Sequence, residues 1–212
     1  MFNQPNTYNT TVKGMLNKLK MMQAVANNIA NVGTTGFKRE IPESVSFKSV
    51  LSETTMRDKS QGSLTKTGNT FDIAIEGNAY FLVDSKDGLI PTKNGKLRLN
   101  EKGVLSTFDG GELVVVEKTD KPINLAEHYD ISINENGEIF VGKERYGRIA
   151  MQVEDNKPVK VRQGFLEGSN ANLLNEMVAL SMVFRSLEAS EKTLGLEASV
   201  DKELIEKYGR NV

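Results

Sequence analysis

Few side chains in this sequence could carry out catalysis. The 212 residues include one histidine, no cysteine and no tryptophan. His128 lies beside Glu127 and Asp130, as a metal ligand could. A second ligand at a suitable spacing is missing, however, so a surface histidine is the better interpretation. We therefore expect no metal site around this histidine.

Two loop patterns approach ligand-binding motifs without matching them. Residues 33–38 lack the spacing of a phosphate-binding P-loop, and they follow a predicted helix rather than a strand. Residues 134–137 have part of a calcium-loop pattern, but Lys143 stands where a bidentate acid is needed. The Asn-Gly pair there favours a hairpin turn, because both residue types accept a positive φ. No catalytic, metal-binding or cofactor-binding residue is predicted, and we do not expect an enzyme.

Composition limits the remaining classes of function. Charged residues make up 26% of the chain and the net charge is −1, which argues against a dedicated nucleic-acid binder. No apolar run is long enough to span a bilayer, so stable membrane insertion is not expected. The first twelve residues lack the apolar segment of a cleavable secretory signal. A protein working outside the cytoplasm would need another export route.

The N-terminal region has the apolar spacing of a helix that packs along another helix. Apolar residues recur at alternating steps of three and four, which is a heptad pattern. This first seam consists of Val12, Met15, Leu19, Met22, Ala26 and Ile29. The same helix is basic and rich in methionine, so binding to an anionic membrane is an alternative. The narrow seam favours helix–helix packing.

A second seam with the same steps lies near the other end of the chain. Its apolar residues are Leu173, Met177, Leu180, Phe184 and Leu187. Ser169 or Asn170 is the predicted N-cap of this helix. The first helix carries no acid, whereas the second is rich in glutamate. Complementary charge beside two seams predicts that the two helices pack together.

The stretch from residue 26 to residue 39 predicts the end of the first helix. Asparagines and then glycines follow the last seam residue, and both types accept the backbone of a helix C-cap. We expect a stop near residues 31–33, a left-handed conformation at Gly36 and a buried anchor at Phe37. Lys38 and Arg39 are expected to be exposed.

The middle of the chain predicts an antiparallel β domain. Short apolar segments alternate with turn signals such as Asn94-Gly95 and Asn136-Gly137. The expected fold class is therefore α+β, with long terminal helices that pack as a coiled-coil-like pair. We expect residues 1–36 and 167–212 to form the helical core and residues 37–166 to form the β-rich domain.

Several segments together resemble the bacterial flagellar rod and hook family. The first segment runs from the end of the first helix into the following loop, and it matches at Asn28, Ala30, Asn31, Thr35, Gly36, Phe37 and Lys38. Residues 71–83 resemble the family's strand pair and include Gly77, and the turn at Gly95 follows. Residues 163–172 resemble the entry to the C-terminal helix, with matches at Gly164, Glu167, Ser169 and Asn170. One departure is the segment between Met151 and Gln163, which is shorter than in the family.

The resemblance implies a structural protein of the basal-body rod. Within the family the proximal-rod member is the most similar and the distal-rod member is second. Such a protein is exported by the flagellar type III apparatus without signal cleavage, and it assembles in the periplasm with copies of itself and other rod proteins. The terminal helices then form an inner tube and the β domain an outer layer. A hook or hook-adaptor subunit, or a peripheral membrane protein using the basic helix, remains the alternative.

Overall fold

A computed structural model describes residues 7–41, 56–118, 131–155 and 157–208. His128 and its acidic neighbours lie outside these residues. The chain divides into two compact units. The helical unit comprises residues 1–30, 40–57 and 172–212, and the β unit comprises residues 31–39 and 58–171.

The helical unit contains both long helices and one short strand pair. Helix α1 spans Thr7–Ala30 and helix α2 spans Leu173–Tyr208. Strand β1 (Glu40–Ile41) pairs with β2 (Met56–Arg57) in antiparallel register. The two helices are antiparallel. Asn28, near the end of α1, donates a hydrogen bond to Glu176 at the start of α2, and Lys18, earlier in α1, donates to the carbonyl oxygen of Ser186, further along α2.

Helix α2 begins later than the sequence suggested. The Oδ1 atom of Asn172 accepts a hydrogen bond from the backbone N–H of Asn175 at 3.1 Å. Asn172 is therefore the N-cap, because its side chain satisfies a donor of the first helical turn. The prediction of Ser169 or Asn170 at this position was wrong. Both residues bond within the β unit instead.

The β unit consists of short antiparallel strands, as the turn signals predicted. The strands are β3 (Leu64–Lys66), β4 (Ile73–Glu76), β5 (Ala79–Ser85), β6 (Gly88–Thr92), β7 (Leu97–Leu99), β8 (Leu105–Thr107), β9 (Glu112–Leu113), β10 (Val115–Val116), β11 (Ile131–Ile133), β12 (Glu138–Val141), β13 (Glu144–Ile149), β14 (Met151–Val153), β15 (Lys160–Gln163) and β16 (Phe165–Glu167). The central sheet has the order β14-β5-β9-β8-β7, with β6 on the free side of β5. A second sheet has the order β10-β13-β12-β11, and two further pairs join β15 to β4 and β16 to β3.

One hydrophobic core joins the strands of the β unit. Alternate residues of each strand point inward, which gives β5 its buried positions at Ala79, Phe81 and Val83. Ile73 and Ile139 contribute from neighbouring strands and are fully buried. The α+β class with an antiparallel β middle is confirmed. The two helices do pack together, but a coiled-coil geometry between them stays a prediction.

Candidate functional site

A buried cluster of charged side chains connects distant segments of the β unit. Glu167, the last residue of β16, is fully buried. Its Oε1 atom lies 2.6 Å from Lys38 Nζ, and its Oε2 atom lies 3.4 Å from Lys93 Nζ. The backbone N–H of Gly62 also donates to Oε1, at 3.0 Å. We call this group of four residues the glutamate clamp.

Lys38 corrects one expectation from the sequence. It was predicted to be exposed, but only 7% of its surface is accessible. Its ammonium group donates to the Ser60 carbonyl oxygen at 2.7 Å as well as to Glu167. Two such charge-assisted bonds offset the cost of removing the ammonium group from water. The partner lies 129 residues away, so the local sequence could not indicate it.

Lys93 was not singled out by the sequence, yet it completes the clamp. Its Nζ donates to the carbonyl oxygen of Gly77 at 2.8 Å and lies 5.5 Å from the centre of the Tyr80 ring. Burial lowers the pKa of Lys93, and the nearby positive charge of Lys38 lowers it further, while Glu167 acts in the opposite direction. Two lysines thus share one carboxylate in a site closed to water.

Gly36 has the left-handed backbone that the sequence predicted, with φ at 70°. Its N–H donates to the backbone oxygen of Glu167 at 2.7 Å. A Cβ atom at this position would lie 2.5 Å from the carbonyl carbon of Lys93. Both the backbone angle and the close approach therefore require glycine. Phe37, in contrast, is half-buried rather than the buried anchor that we expected.

Asn170 adds a second connection within the β unit. Its Oδ1 accepts from the backbone N–H of Arg39 at 2.6 Å, and its Nδ2 donates to the carbonyl oxygens of Asp58 and Ser60 at 2.9 and 3.0 Å. Hydrogen bonds from the backbone and hydroxyl of Ser60 lower the pKa of Asp58. The side chain of Asn170 and the clamp together hold residues 36–39, 58–62 and 167–170. These are the segments through which the chain enters and leaves the β unit.

Three other glycines of the family motifs have clear structural roles. Gly77 has φ at 120° in the turn between β4 and β5, and Gly164 has φ at 75° between β15 and β16. At Gly95 a Cβ atom would lie 1.7 Å from the carbonyl oxygen of Ile73, so only glycine fits beside that strand. These positions explain why glycine occurs there, but they offer no group for chemistry.

The asparagine near the end of α1 organises the helical unit. Asn28 is fully buried. Its Nδ2 donates to the backbone oxygen of Glu40 at 2.9 Å, and its Oδ1 accepts from the backbone N–H of the same residue at 2.8 Å. Nδ2 also lies 3.2 Å from Oε2 of Glu176, which is buried in α2. One amide therefore connects α1, β1 and α2.

The remaining motif residues lie at the end of α1 and in the loops. Ala30 ends α1 and is exposed, and Asn31 accepts a hydrogen bond from the Thr34 N–H at 3.0 Å. Thr35 is half-buried. The hydroxyl oxygen of Ser169 accepts from the N–H of Ala171 at 3.1 Å.

The predicted seam residues are divided between the helix contact and the surface. In α2, Leu180 and Leu187 are half-buried, whereas Leu173, Met177 and Phe184 are exposed. Glu176 and Val183 are buried instead, one position before Met177 and Phe184 respectively. In α1, Val12, Met15, Met22 and Ile29 are half-buried, while Leu19 and Ala26 are exposed. A role for the exposed seam residues in helix packing stays a prediction.

The described residues offer little for other kinds of site. They contain no group of three histidine, cysteine, aspartate or glutamate side chains placed to hold a metal ion. Neither described helix has a stretch both long and apolar enough to span a bilayer. The titratable groups of the clamp, Glu167, Lys38 and Lys93, are all buried. Its geometry supports a mechanical role.

Two family models match this chain. Residues 74–141 match the "Flagellar hook protein FlgE/F/G D1 domain", and residues 162–205 match the "Flagellar basal body rod FlgEFG protein C-terminal". The two matches cover most of the β unit and the greater part of α2.

Relatives with similar sequences extend the likeness to most of the chain. The flagellar basal-body rod protein FlgF of Mesorhizobium japonicum is 31% identical, covering 90% of this chain and 92% of its own. FlgF of Caulobacter vibrioides is 27% identical over 89% of this chain, and FlgG of Bacillus subtilis is 24% identical over 92%. This order agrees with the expected one, a proximal-rod likeness before a distal-rod likeness. The chain belongs to the family of flagellar basal-body rod proteins.

Proposed function

We propose that this chain is a structural subunit of the bacterial flagellar basal-body rod, the drive shaft that transmits torque for motility. It acts by assembling, and not as an enzyme. One observation carries the proposal: the likeness to a rod protein extends over 90% of the chain and over 92% of that relative. In this proposal, residues 1–36 and 167–212 build the inner tube, and residues 37–166 build the outer layer.

The surface of α2 supports assembly. A broad apolar stripe on this helix remains exposed in the single chain, with Leu174 at 73% and Met182 at 65% accessibility. Leu173, Met177, Val178 and Phe184 belong to the same exposed set. Apolar side chains in such a cluster are stable when neighbouring molecules cover them. Copies of this chain and other rod proteins are the proposed neighbours.

The glutamate clamp supports the transmission of torque. A force applied to the outer layer must pass along the few segments that connect it to the helices. The clamp holds two of these segments by charged hydrogen bonds to Glu167, and Asn170 holds the same two. Bonds of this kind are short and directional, so they resist displacement better than apolar contacts do. We propose that the clamp stiffens the subunit.

Export by the flagellar type III apparatus, without a cleaved signal, and final location in the periplasmic rod are parts of the same proposal. The test is the presence of the protein in purified hook–basal bodies, together with the motility of a deletion strain. Absence from basal bodies and normal swimming would contradict the proposal. Binding of the protein to anionic vesicles that withstands high salt would instead favour a peripheral membrane role.

A further inference from the structure

One row of side chains crosses the central sheet on the face opposite the core residues Val83 and Leu105; one of its members, Ser106, is buried, and the others are exposed or partly exposed. The strand registers pair Leu89 with Asp84, Asp84 with Glu112, Glu112 with Ser106 and Ser106 with Arg98. Residues paired in register lie on the same face of a sheet. We call these five residues the charged row. It runs from the edge strand β6 to the edge strand β7.

The acidic half of the charged row lacks a cation. Asp84 and Glu112 are directly opposite each other, and like charges in that position repel. Glu112 accepts a hydrogen bond from Asn100 Nδ2 at 3.0 Å, which holds its carboxylate in place. Neither acid forms an ion pair within the part of the chain that the structure describes.

The basic half of the charged row consists of Arg98, together with Lys96 two residues before it, and it lacks an acidic partner. Arg98 and Lys96 lie over the Phe108 ring, with their charged atoms 5.3 and 5.2 Å from its centre. Neither of these two bases is paired with a carboxylate among the described residues. Asp109 follows Phe108 in sequence, but it lines a cavity with Val83 on the core side of the sheet.

The two halves form no ion pair with each other among the described residues. Asp84 and Arg98 are three strand spacings apart, about 14 Å, and Ser106 lies between Glu112 and Arg98. An ion pair needs the nitrogen of the base and the oxygen of the acid to lie within about 4 Å of each other. A second copy, however, presents the same two halves. Its acidic half can face the basic half of the first.

An exposed large apolar residue also lies at or near each end of the charged row. Leu89 is 62% exposed beside the acids, and Phe108 is 55% exposed beneath the bases. When an acidic half faces a basic half, Leu89 of one copy comes next to Phe108 of the other. An apolar contact surrounded by ion pairs has the arrangement of a protein–protein interface.

We propose that the charged row is a contact surface between copies of this chain. The acids Asp84 and Glu112 of one copy bind Arg98 and Lys96 of the next, and Leu89 packs on Phe108. The inference rests on the proposed function, because a rod places copies side by side. In such a contact the acidic half of one copy meets the basic half of the next. Because these are two different patches, successive copies can follow a helical path.

Cross-linking tests this contact directly, because the chain has no cysteine of its own. The double variant L89C/F108C places one thiol at each end of the row. Within one chain the two positions are about 14 Å apart, too far for an internal disulfide. We expect disulfide-linked multimers after mild oxidation of cells that produce only this variant. The matched control is L89C/V116C, whose second position is exposed on the other sheet and should give none.

Charge reversal in the same background separates a specific contact from random collision. D84K and R98E each place like charges across the contact, so each should lower the cross-linked fraction at least about fivefold. The combination D84K/R98E restores opposite charges and should restore cross-linking. Equal cross-linking in the V116C control, or no recovery in the combined variant, would overturn the proposal.

The same cells distinguish this proposal from the proposed function. Immunoblots of purified hook–basal bodies show whether the protein is in the rod at all. A protein that is present but not cross-linked through L89C/F108C refutes the contact and leaves the rod subunit standing. If the protein is absent from basal bodies, the rod proposal fails. Cross-linking of the concentrated purified variant then decides the contact, and the lack of multimers overturns it.

Discussion

The two units of this molecule bury their apolar residues to very different degrees. In the β unit, residues such as Ile73, Phe81 and Ile139 are at most 1% exposed. In the helical unit, the buried apolar residues of the described helices are small: Ala24, Val25 and Val183. The large apolar residues of α2 are mostly on the surface.

The difference shows which unit is complete in a single chain. The β unit has a core of buried residues contributed by many strands, which is what independent stability requires. The contact between the helices includes polar groups, such as Asn28 with Glu176 and Lys18 with the Ser186 carbonyl. A helix within a protein gains most of its stability by packing its apolar face against other elements. We therefore expect neighbouring molecules to cover the exposed apolar residues of the helical unit.

Hydrogen exchange gives the largest expected contrast between the units. In the free monomer, amides of α1 and α2 should exchange at least about a hundredfold faster than those of β5 and β12, because the helices have little buried apolar surface. The measurement is exchange followed by mass spectrometry of peptides. A monomer checked by light scattering in which α2 is as protected as β5 would contradict the comparison.

Removing one phenylalanine from each unit should have opposite consequences. Phe81→Ala deletes a core side chain and should lower the free energy of unfolding of the β unit by about 4 kcal/mol. Phe184→Ala removes a half-exposed ring and should change the monomer by less than about 0.5 kcal/mol. Urea denaturation measures both. We expect Phe184→Ala to impair rod assembly, so normal basal-body content would count against the exposed stripe.

Glu167→Gln tests the glutamate clamp. It keeps the shape of the side chain but leaves two buried lysines without a counter-charge, which should cost about 3 kcal/mol of stability. The control is Glu135→Gln, which breaks the exposed ion pair with Lys160 and should cost less than about 1 kcal/mol. Similar losses for the two variants would show that the clamp contributes no more than a surface pair.

Gly36→Val tests the loop that approaches the clamp. The new side chain must accept a left-handed backbone and displace the chain at Lys93, so we expect a loss of about 2 kcal/mol in thermal or urea unfolding. Gly33→Ala is the control in the same loop. Its Cβ atom meets no neighbour within 4 Å, and a change of less than about 0.5 kcal/mol is expected.

The substitution Lys93→Met should produce the smallest effect, visible only in how the free energy of unfolding depends on pH. Its folded-state pKa is lowered, mainly by burial, so the unfolded chain binds more protons in the range just below pH 10.5. Stability of the wild type should therefore rise with pH across that range relative to Lys93→Met. Lys143→Met, which removes an exposed lysine, should show no such difference. Parallel stability curves for the two variants would exclude a buried charged lysine.

The parts of the fold that depend on local chemistry could be predicted from the sequence. Helix α1 ends at Ala30, next to the expected stop, and Gly137 has the positive φ that the Asn-Gly pair suggested. The left-handed conformation of Gly36 was also predictable, because few other residue types tolerate it.

The parts that depend on distant partners could not be predicted. Lys38 looks like a surface lysine until Glu167 is placed beside it. At two positions of α2 the buried residue comes one earlier than predicted, at Glu176 and Val183, and Glu176 accepts a hydrogen bond from the amide of Asn28. An apolar pattern cannot reveal a polar contact of this kind. Glu167 was noted only through a family motif, and Lys93 carried no local signal.

The sequence separation within the glutamate clamp has a consequence for the timing of folding. Glu167 follows Lys38 by 129 residues, so the ribosome must add most of the chain before the pair can form. At the usual speed of protein synthesis this takes roughly 6 to 26 s. During that interval Lys38 has no carboxylate to hold it, and the loop around Gly36 cannot lock. A nascent subunit therefore remains pliable until synthesis is nearly finished.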